Sequence, residues 1–369
     1  MTDREALIAL NMLGGIGPVR VRSIFEKLGS YTAIMEADEK TLSEIRGIGR
    51  SIAGNIIAGR KTVDPVAEQE KASLLGARII TCIDPEYPGA LLEIHDPPLA
   101  LYLKGSIVEA DKRAIAVVGT RRPTSYGRMV ADSLSCRLAQ IGWTIVSGLA
   151  RGIDTVAHRG ALKGKGRTLA VTGGGIDGIY PPENKELADE MAQNGAVISE
   201  FPIGRKPDKT TFPMRNRIVS GMSMGVLVVE AGQSSGALIT ADQALDQGRT
   251  VFAVPGRIDS PVSRGTHSLL KTGACLVTGV DSILDELEML IPSRAFADKE
   301  DAGAMSRMTL LPDEALLVKI LEDGGTDVDT LTRKSGMPPC SVASLLIGLE
   351  MKRVVRMLPG RNVEIVRKI

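Results

Sequence analysis

Ala114–Val118, AIAVV, is an unbroken apolar run that passes directly into Gly119, two arginines and a proline. A strand with one wet face alternates apolar and polar residues, so a short continuous run predicts a strand covered on both faces. The glycine behind it opens a loop of the size that holds a phosphate. Strands of this kind belong to parallel sheets, whose ligands lie beyond the carboxyl ends of the strands. Arg121 and Arg122 stand at that place.

The pattern then repeats. Residues 144–147 (TIVS), 168–172 (TLAVT), 196–199 (AVIS), 225–230 (GVLVVE), 250–254 (TVFAV) and 275–278 (CLVT) are short apolar runs separated by helical periodicity. Such alternation requires crossover connections and predicts an α/β core with a mostly parallel, doubly wound sheet ending near residue 290. Upstream, 77–82 (ARIITC) and 99–103 read as further strands. Prolines at 85, 88, 97 and 98 exclude the stretch between them from a central ladder and wrap it around an edge.

The flanks have a different grammar. Within residues 1–64, the Gly-Ile-Gly at 15–17 is echoed at 47–49, each copy between apolar helical patterns. This predicts an all-α, helix-hairpin-helix or SAM-like domain. Its turns either offer backbone N–H groups to a phosphate or simply join compact helices. Residues 292–312 are charged and aperiodic, as a linker is. In 313–369 three amphipathic helices precede VVRMLPGRNVEIVR, a hairpin with Pro-Gly at its turn, which is a winged-helix pattern. The core is thus assigned to 65–291. A winged helix suits DNA and protein partners equally.

A chain of 369 residues has room for these domains. Its net charge is only +1, so affinity for a polyanion has to come from local clustering of cations. Cys82, Cys136, Cys275 and Cys340 are far apart, form no metal-ligand spacing and fit a reduced cytosolic protein. The N-terminus has no leader pattern and no apolar run reaches about 18 residues, which predicts a cytoplasmic protein with no membrane partner.

Clustering is found in the loops that follow the core strands: GTRRP, GLARGID, GGGIDGIYPPEN, EFPIGRKPDKTTFPMRNR and AGQSSGALIT. All are expected at one edge of the sheet, with Arg121, Arg122, Arg151, Arg205, Lys206, Lys209, Arg215 and Arg217 among them. Several basic loops converging there predict an anion site. Gly173, Gly175 and Gly178 also fit GxGxxG, with Glu200 downstream where a ribose ligand would be sought. Pro181 and Pro182 delay the next helix, however, and a dinucleotide fingerprint needs its glycines at a helix N-terminus. No cofactor or metal is expected. His95, His158 and His267 fall on unrelated segments and no nucleophile is paired with a base. His158 reads as a packed helix residue and Asp154 as a helix N-cap.

VGTRRPTSYG, SGLARGIDTVAH, GGGIDGIYPPEN, FPMRNRIVSG and SGALITADQALDQGRTVFAVPG, in this order, resemble the DNA-processing protein A family, also called Smf. The resemblance covers the whole core, which it implies is Rossmann-like, and both flanking domains. It implies a protein that binds single-stranded DNA, protects incoming strands in natural transformation and loads the RecA recombinase, as a homodimer and not as an enzyme. Arg121 would be a phosphate ligand, Lys209 and Phe212 the lysine and base-contacting phenylalanine, and Arg217 the end of the RNR element. Gly119, Thr120, Arg122, Arg151, Gly174, Arg215, Ser235 and Gly236 complete the expected DNA-binding set. Cations beside glycine-rich backbone track phosphates, and a lone phenylalanine among them offers a base a stacking surface.

Two other functions fit parts of the pattern. A Rossmann-like nucleotide hydrolase cleaving an N-glycosidic bond would carry a loop resembling PGGxGTxxE, where this chain has EAGQSSGALIT without the downstream acid. A DNA-bound scaffold would recruit proteins through the winged helix.

Overall fold

The structure is a computed structural model, and it describes residues 1–288, 312–321, 326–351, 355–358 and 362–365. The chain divides into two compact units, Met1–Leu290 and Ile291–Ile369.

In the first unit nine strands form one sheet in the order β1-β2-β6-β5-β4-β3-β7-β8-β9. They are β1 Arg78–Thr81, β2 Ala100–Gly105, β3 Ala114–Val118, β4 Thr144–Ser147, β5 Thr168–Val171, β6 Gly195–Ser199, β7 Gly225–Val228, β8 Thr250–Ala253 and β9 Cys275–Leu276. From β6 to β9 every pairing is parallel, and Ala116 of β3 lies between Val146 of β4 and Val226 of β7. The chain therefore starts at the centre, winds outward through β4 to β6, and returns to wind the other way from β7. Its switch point lies between β3 and β7. Strands β1 and β2 form an antiparallel hairpin that pairs with β6, and the proline-rich stretch between them is held at Tyr87, whose hydroxyl donates to Pro98 O at 2.7 Å.

The continuous apolar run of β3 now has its explanation. Ala114, Ala116 and Val118 share one core with Ile218, Val219, Ala241 and Ala244, whereas Ile115 and Val117 share the other with Ala131, Leu138, Ala157 and Ala161. Helices supply the partners on each side. Thr211–Gly221 and Gly236–Asp246 cover one face; Ser125–Gln140 and Ile153–Lys163 cover the other.

The helices before β1 enclose a third core that includes Leu7, Leu10, Ile24, Ile34, Leu42 and Ile56. The two Gly-Ile-Gly units adopt the same turn. Gly15 (φ 80°) and Gly47 (φ 86°) are left-handed, Ile16 and Ile48 are buried, and Gly17 and Gly49 each precede a helix. This bundle is joined to the sheet, since Asn11 Nδ2 donates to Glu200 O at 2.9 Å and Arg22 Nη2 to His95 O at 3.1 Å.

In the second unit, helices Pro312–Leu321, Val328–Ser335 and Pro339–Met351 surround Leu317, Leu331, Leu346 and Val363. Strands β11 (Val355–Leu358) and β12 (Asn362–Ile365) form the expected hairpin, and a short strand β10 (Thr326–Asp327) pairs with β12. Residues 292–311 of the expected linker and the Pro-Gly turn lie outside the described residues, and Pro312 already opens a helix. Among the described residues, no helix is long and apolar enough to cross a membrane.

Candidate functional site

A crevice of about 610 Å³ opens at the switch point. The loop after β3 contributes Gly119, Thr120 and Arg121; the loop after β7 and the following helix contribute Gly232, Ser235 and Gly236; Lys209, Phe212 and Arg215 enter from the segment after β6. A smaller hollow shares Arg121, Phe212 and Arg215 and is otherwise lined by Arg151, Gly173, Gly174, Tyr180 and Pro207.

Each side of the crevice is held by backbone geometry. Thr120 N donates to Glu230 O at 2.7 Å, and Ile153 N donates to Thr120 O at 3.2 Å. Gly152 adopts φ +83°, where a Cβ would lie 2.3 Å from Thr120 O, so the loops after β3 and β4 touch back to back. Across the crevice Asp208 Oδ1 accepts from Thr210 N and Thr211 N at 2.7 and 3.1 Å, fixing the start of helix Thr211–Gly221. Phe212 in its first turn is thereby aimed at the crevice.

The cations there have different fates. Arg121 and Lys209 are exposed and have no salt bridge among the described residues. The Arg121 Cζ lies 5.2 Å from the centroid of the Phe212 ring, a cation–π contact. Arg215 is buried under the floor, donating to Gly148 O and, at 2.6 Å, to Val171 O. Its neighbour Asp154 accepts from Gly148 N and Ala150 N at 3.1 and 3.3 Å, so it ties the loop after β4 instead of serving as an N-cap, which is Gly152. Burial pushes the Asp154 carboxyl up, opposed by the Arg215 charge, and burial pulls the Arg215 guanidinium down.

Other cations of these loops have partners within the chain. Arg151 is paired with Glu183 and stands 6.0 Å from the Tyr180 ring, and Arg205 is paired with Asp208 at 2.6 Å. Arg122 is exposed but lines neither hollow. Arg217 departs most from expectation. It is 4% exposed, pairs with Glu200 and with Asp96 (Nε–Oδ2 3.1 Å), and borders a separate groove beside Pro18 and Met214. Expected in the DNA-binding set as the end of the RNR element, it is held here by its two neighbouring carboxylates, which gives it a structural role in the fold.

The glycine fingerprint also acquires a physical role. A Cβ on Gly173 would meet Phe212 Cδ1 at 2.9 Å, and one on Gly175 would meet Asp177 Oδ1 at 2.4 Å. These glycines admit the chain's own side chains. Glu200 is buried against Arg217, and the helix after the loop starts only at Lys185.

His158 is fully buried, with Nδ1 2.7 Å from Thr168 Oγ1. Thr168 Oγ1 gives its hydrogen to Ile145 O at 2.8 Å, so His158 Nδ1 is the donor and Nε2 has no partner among the described residues. Burial pulls its pKa down to about 3, which keeps the ring neutral. Two residues were missed in the sequence: Tyr180, which lines the smaller hollow, and Glu230, which holds Thr120 and Thr124 after β3. Tyr180 lies 6.4 Å from Phe212, centroid to centroid, and its only signal was an aromatic between Ile179 and Pro181 in a glycine-rich loop. Glu230 read merely as the end of a strand.

Fold and site together define a doubly wound α/β protein with a basic, aromatic-edged crevice at its switch point. Residues 78–288 match the family model for DNA recombination-mediator protein A, residues 7–62 a SAM-like helix-hairpin-helix tandem, and residues 302–361 a DprA winged helix domain. The chain belongs to the DNA recombination-mediator protein A family. It is 47% identical over 213 residues to DNA processing protein DprA of Bacillus subtilis, covering 58% of this chain and 72% of that one. Protein Smf of Escherichia coli is 41% identical over 290 residues, covering 76% and 75%. Among solved structures, DNA processing protein A from Streptococcus pneumoniae superposes with a TM-score of 0.67 at 34% identity, covering 78% of this chain and 98% of that one. The Helicobacter pylori protein, whose structure is described for its single-stranded DNA binding mode, gives 0.52 at 32% identity, covering 58% and 97%.

Proposed function

We propose that the crevice binds single-stranded DNA, and that the protein shields strands taken up in natural transformation and delivers them to the RecA recombinase. In this reading it acts in the cytoplasm, as a homodimer, without cofactor or catalysis. The observation that carries the reading is that Arg121 and Lys209, cations without a salt bridge among the described residues, line the switch-point crevice together with Phe212, on whose ring Arg121 sits. Cations beside an aromatic ring suit a flexible polyanion with exposed bases. The single-stranded DNA binding described for the Helicobacter pylori relative supports the same ligand class.

N-glycosidic hydrolysis is less well supported. Asp154, the acidic residue lining the crevice among the described residues, is turned to the amides of Gly148 and Ala150. Fluorescence anisotropy with labelled single- and double-stranded oligonucleotides of one sequence tests the proposal. Preference for the single strand is expected; equal or reversed affinity contradicts it. Repeating the titration with a chain lacking residues 313–369 separates this proposal from the scaffold reading, in which the winged helix recruits proteins to a DNA-bound chain.

A further inference from the structure

Two long helices begin at the switch point, Ser125–Gln140 after β3 and Gly236–Asp246 after β7, and their N-termini are treated differently. The second borders the open crevice through Ser235 and Gly236. The first is already occupied. Glu230, just beyond β7, is 3% exposed and turns its carboxylate onto that helix start: Oε2 accepts from Thr124 N at 2.9 Å and Oε1 from Thr124 Oγ1 at 2.5 Å. Gly127, in the first turn, makes room, since a Cβ there would lie 2.4 Å from Glu230 Cδ. A helix N-terminus carries partial positive charge and attracts anions, and in doubly wound sheets this one commonly receives a nucleotide phosphate.

We infer that Glu230 is a built-in anion that closes this seat, making it a specificity-determining residue. It denies free phosphate and nucleoside monophosphates this backbone site and leaves anion capture to Arg121 and Lys209. Those two side chains suit the singly charged phosphates along a strand. The inference rests on the crevice being the DNA site only for its biological meaning; the closed seat itself is a property of the helix start.

The test uses the full chain with Glu230→Ala and with Glu230→Gln, which keeps the side chain's size and removes its charge. Thermal unfolding is followed with inorganic phosphate, with adenosine monophosphate, and with chloride at matched ionic strength. The wild-type protein is expected to show no phosphate response beyond the weaker one of its exposed crevice cations, Arg121 and Lys209. Glu230→Ala is expected to gain a saturable rise of about 3–6 °C when phosphate is about tenfold above its dissociation constant, with a smaller gain for Glu230→Gln. A variant that folds only when phosphate is present supports the inference equally. Variants that ignore phosphate, whether folded or not, overturn it, as does a wild-type protein that binds phosphate as well as they do. Single-strand binding is measured in parallel, so loss of the DNA reading leaves the phosphate result separately legible.

Discussion

Arg121 and Phe212 meet across the switch point with 5.2 Å between guanidinium carbon and ring centroid, although one follows β3 and the other opens the helix after β6. The arginine is therefore oriented by the ring before any ligand arrives. We expect Arg121→Ala and Phe212→Ala to lose single-strand affinity non-additively, because removing either side chain also releases the other. A double-mutant cycle measured by anisotropy checks this; strictly additive losses would mean that the contact has no part in binding.

Arg217 gives the contrasting expectation. Its ion pair with Glu200 is buried on both sides, and burial pushes the Glu200 carboxyl up while Arg217 pulls it back. Arg217→Met should destabilise the protein by about 3–5 kcal/mol by stranding Glu200 and Asp96. Denaturant unfolding reads the loss, and DNA affinity of the folded fraction should be unchanged. A stable variant with weakened binding would restore Arg217 as a ligand.

These residues mark where sequence reading succeeded and where it stopped. Strands β3 to β8 were legible because helices cover both faces of the sheet, and double burial writes an uninterrupted apolar run. The position of Arg121 was legible because a glycine turn follows such a strand at the ligand-binding edge. What could not be read was which cations stay free. Arg217 is neutralised by Asp96 and Glu200, and Arg151 by Glu183, partners that only the fold brings near. Tyr180 and Glu230 escaped for the same reason, since their roles depend on chain segments far away in sequence.

Gly152 should tolerate no side chain. Its φ of +83° and the 2.3 Å approach of a Cβ to Thr120 O join the loops after β3 and β4. Gly152→Ala is expected to cost about 1–3 kcal/mol of stability and to displace the arginine loop. Chemical denaturation and single-strand titration should therefore change together; an unaltered protein would show that these loops are not coupled.

His158 predicts a pH dependence of stability. Its folded pKa of about 3 lies below the ordinary 6.5, so the unfolded chain takes up a proton first as pH falls. The contribution is full above about pH 6.5 and is lost progressively between there and pH 3. His158→Asn, whose amide can take over donation to Thr168 Oγ1, should flatten stability across that window. Denaturation midpoints at several pH values decide it, and an unchanged pH profile would contradict the assignment of a buried neutral ring.

Arg121 is proposed to bind phosphate at the crevice, and the salt dependence of single-strand affinity reads that contact. Single-strand affinity is measured against salt concentration for wild type, Arg121→Glu and Phe212→Ala, after each is shown to be folded. For single strands the logarithmic slope is about 0.7 per neutralised phosphate. Arg121→Glu should weaken binding to every sequence and reduce the slope by at least about that amount. Phe212→Ala should cost about 1–3 kcal/mol with the slope nearly unchanged. A folded Arg121→Glu protein with wild-type affinity and slope would contradict the account.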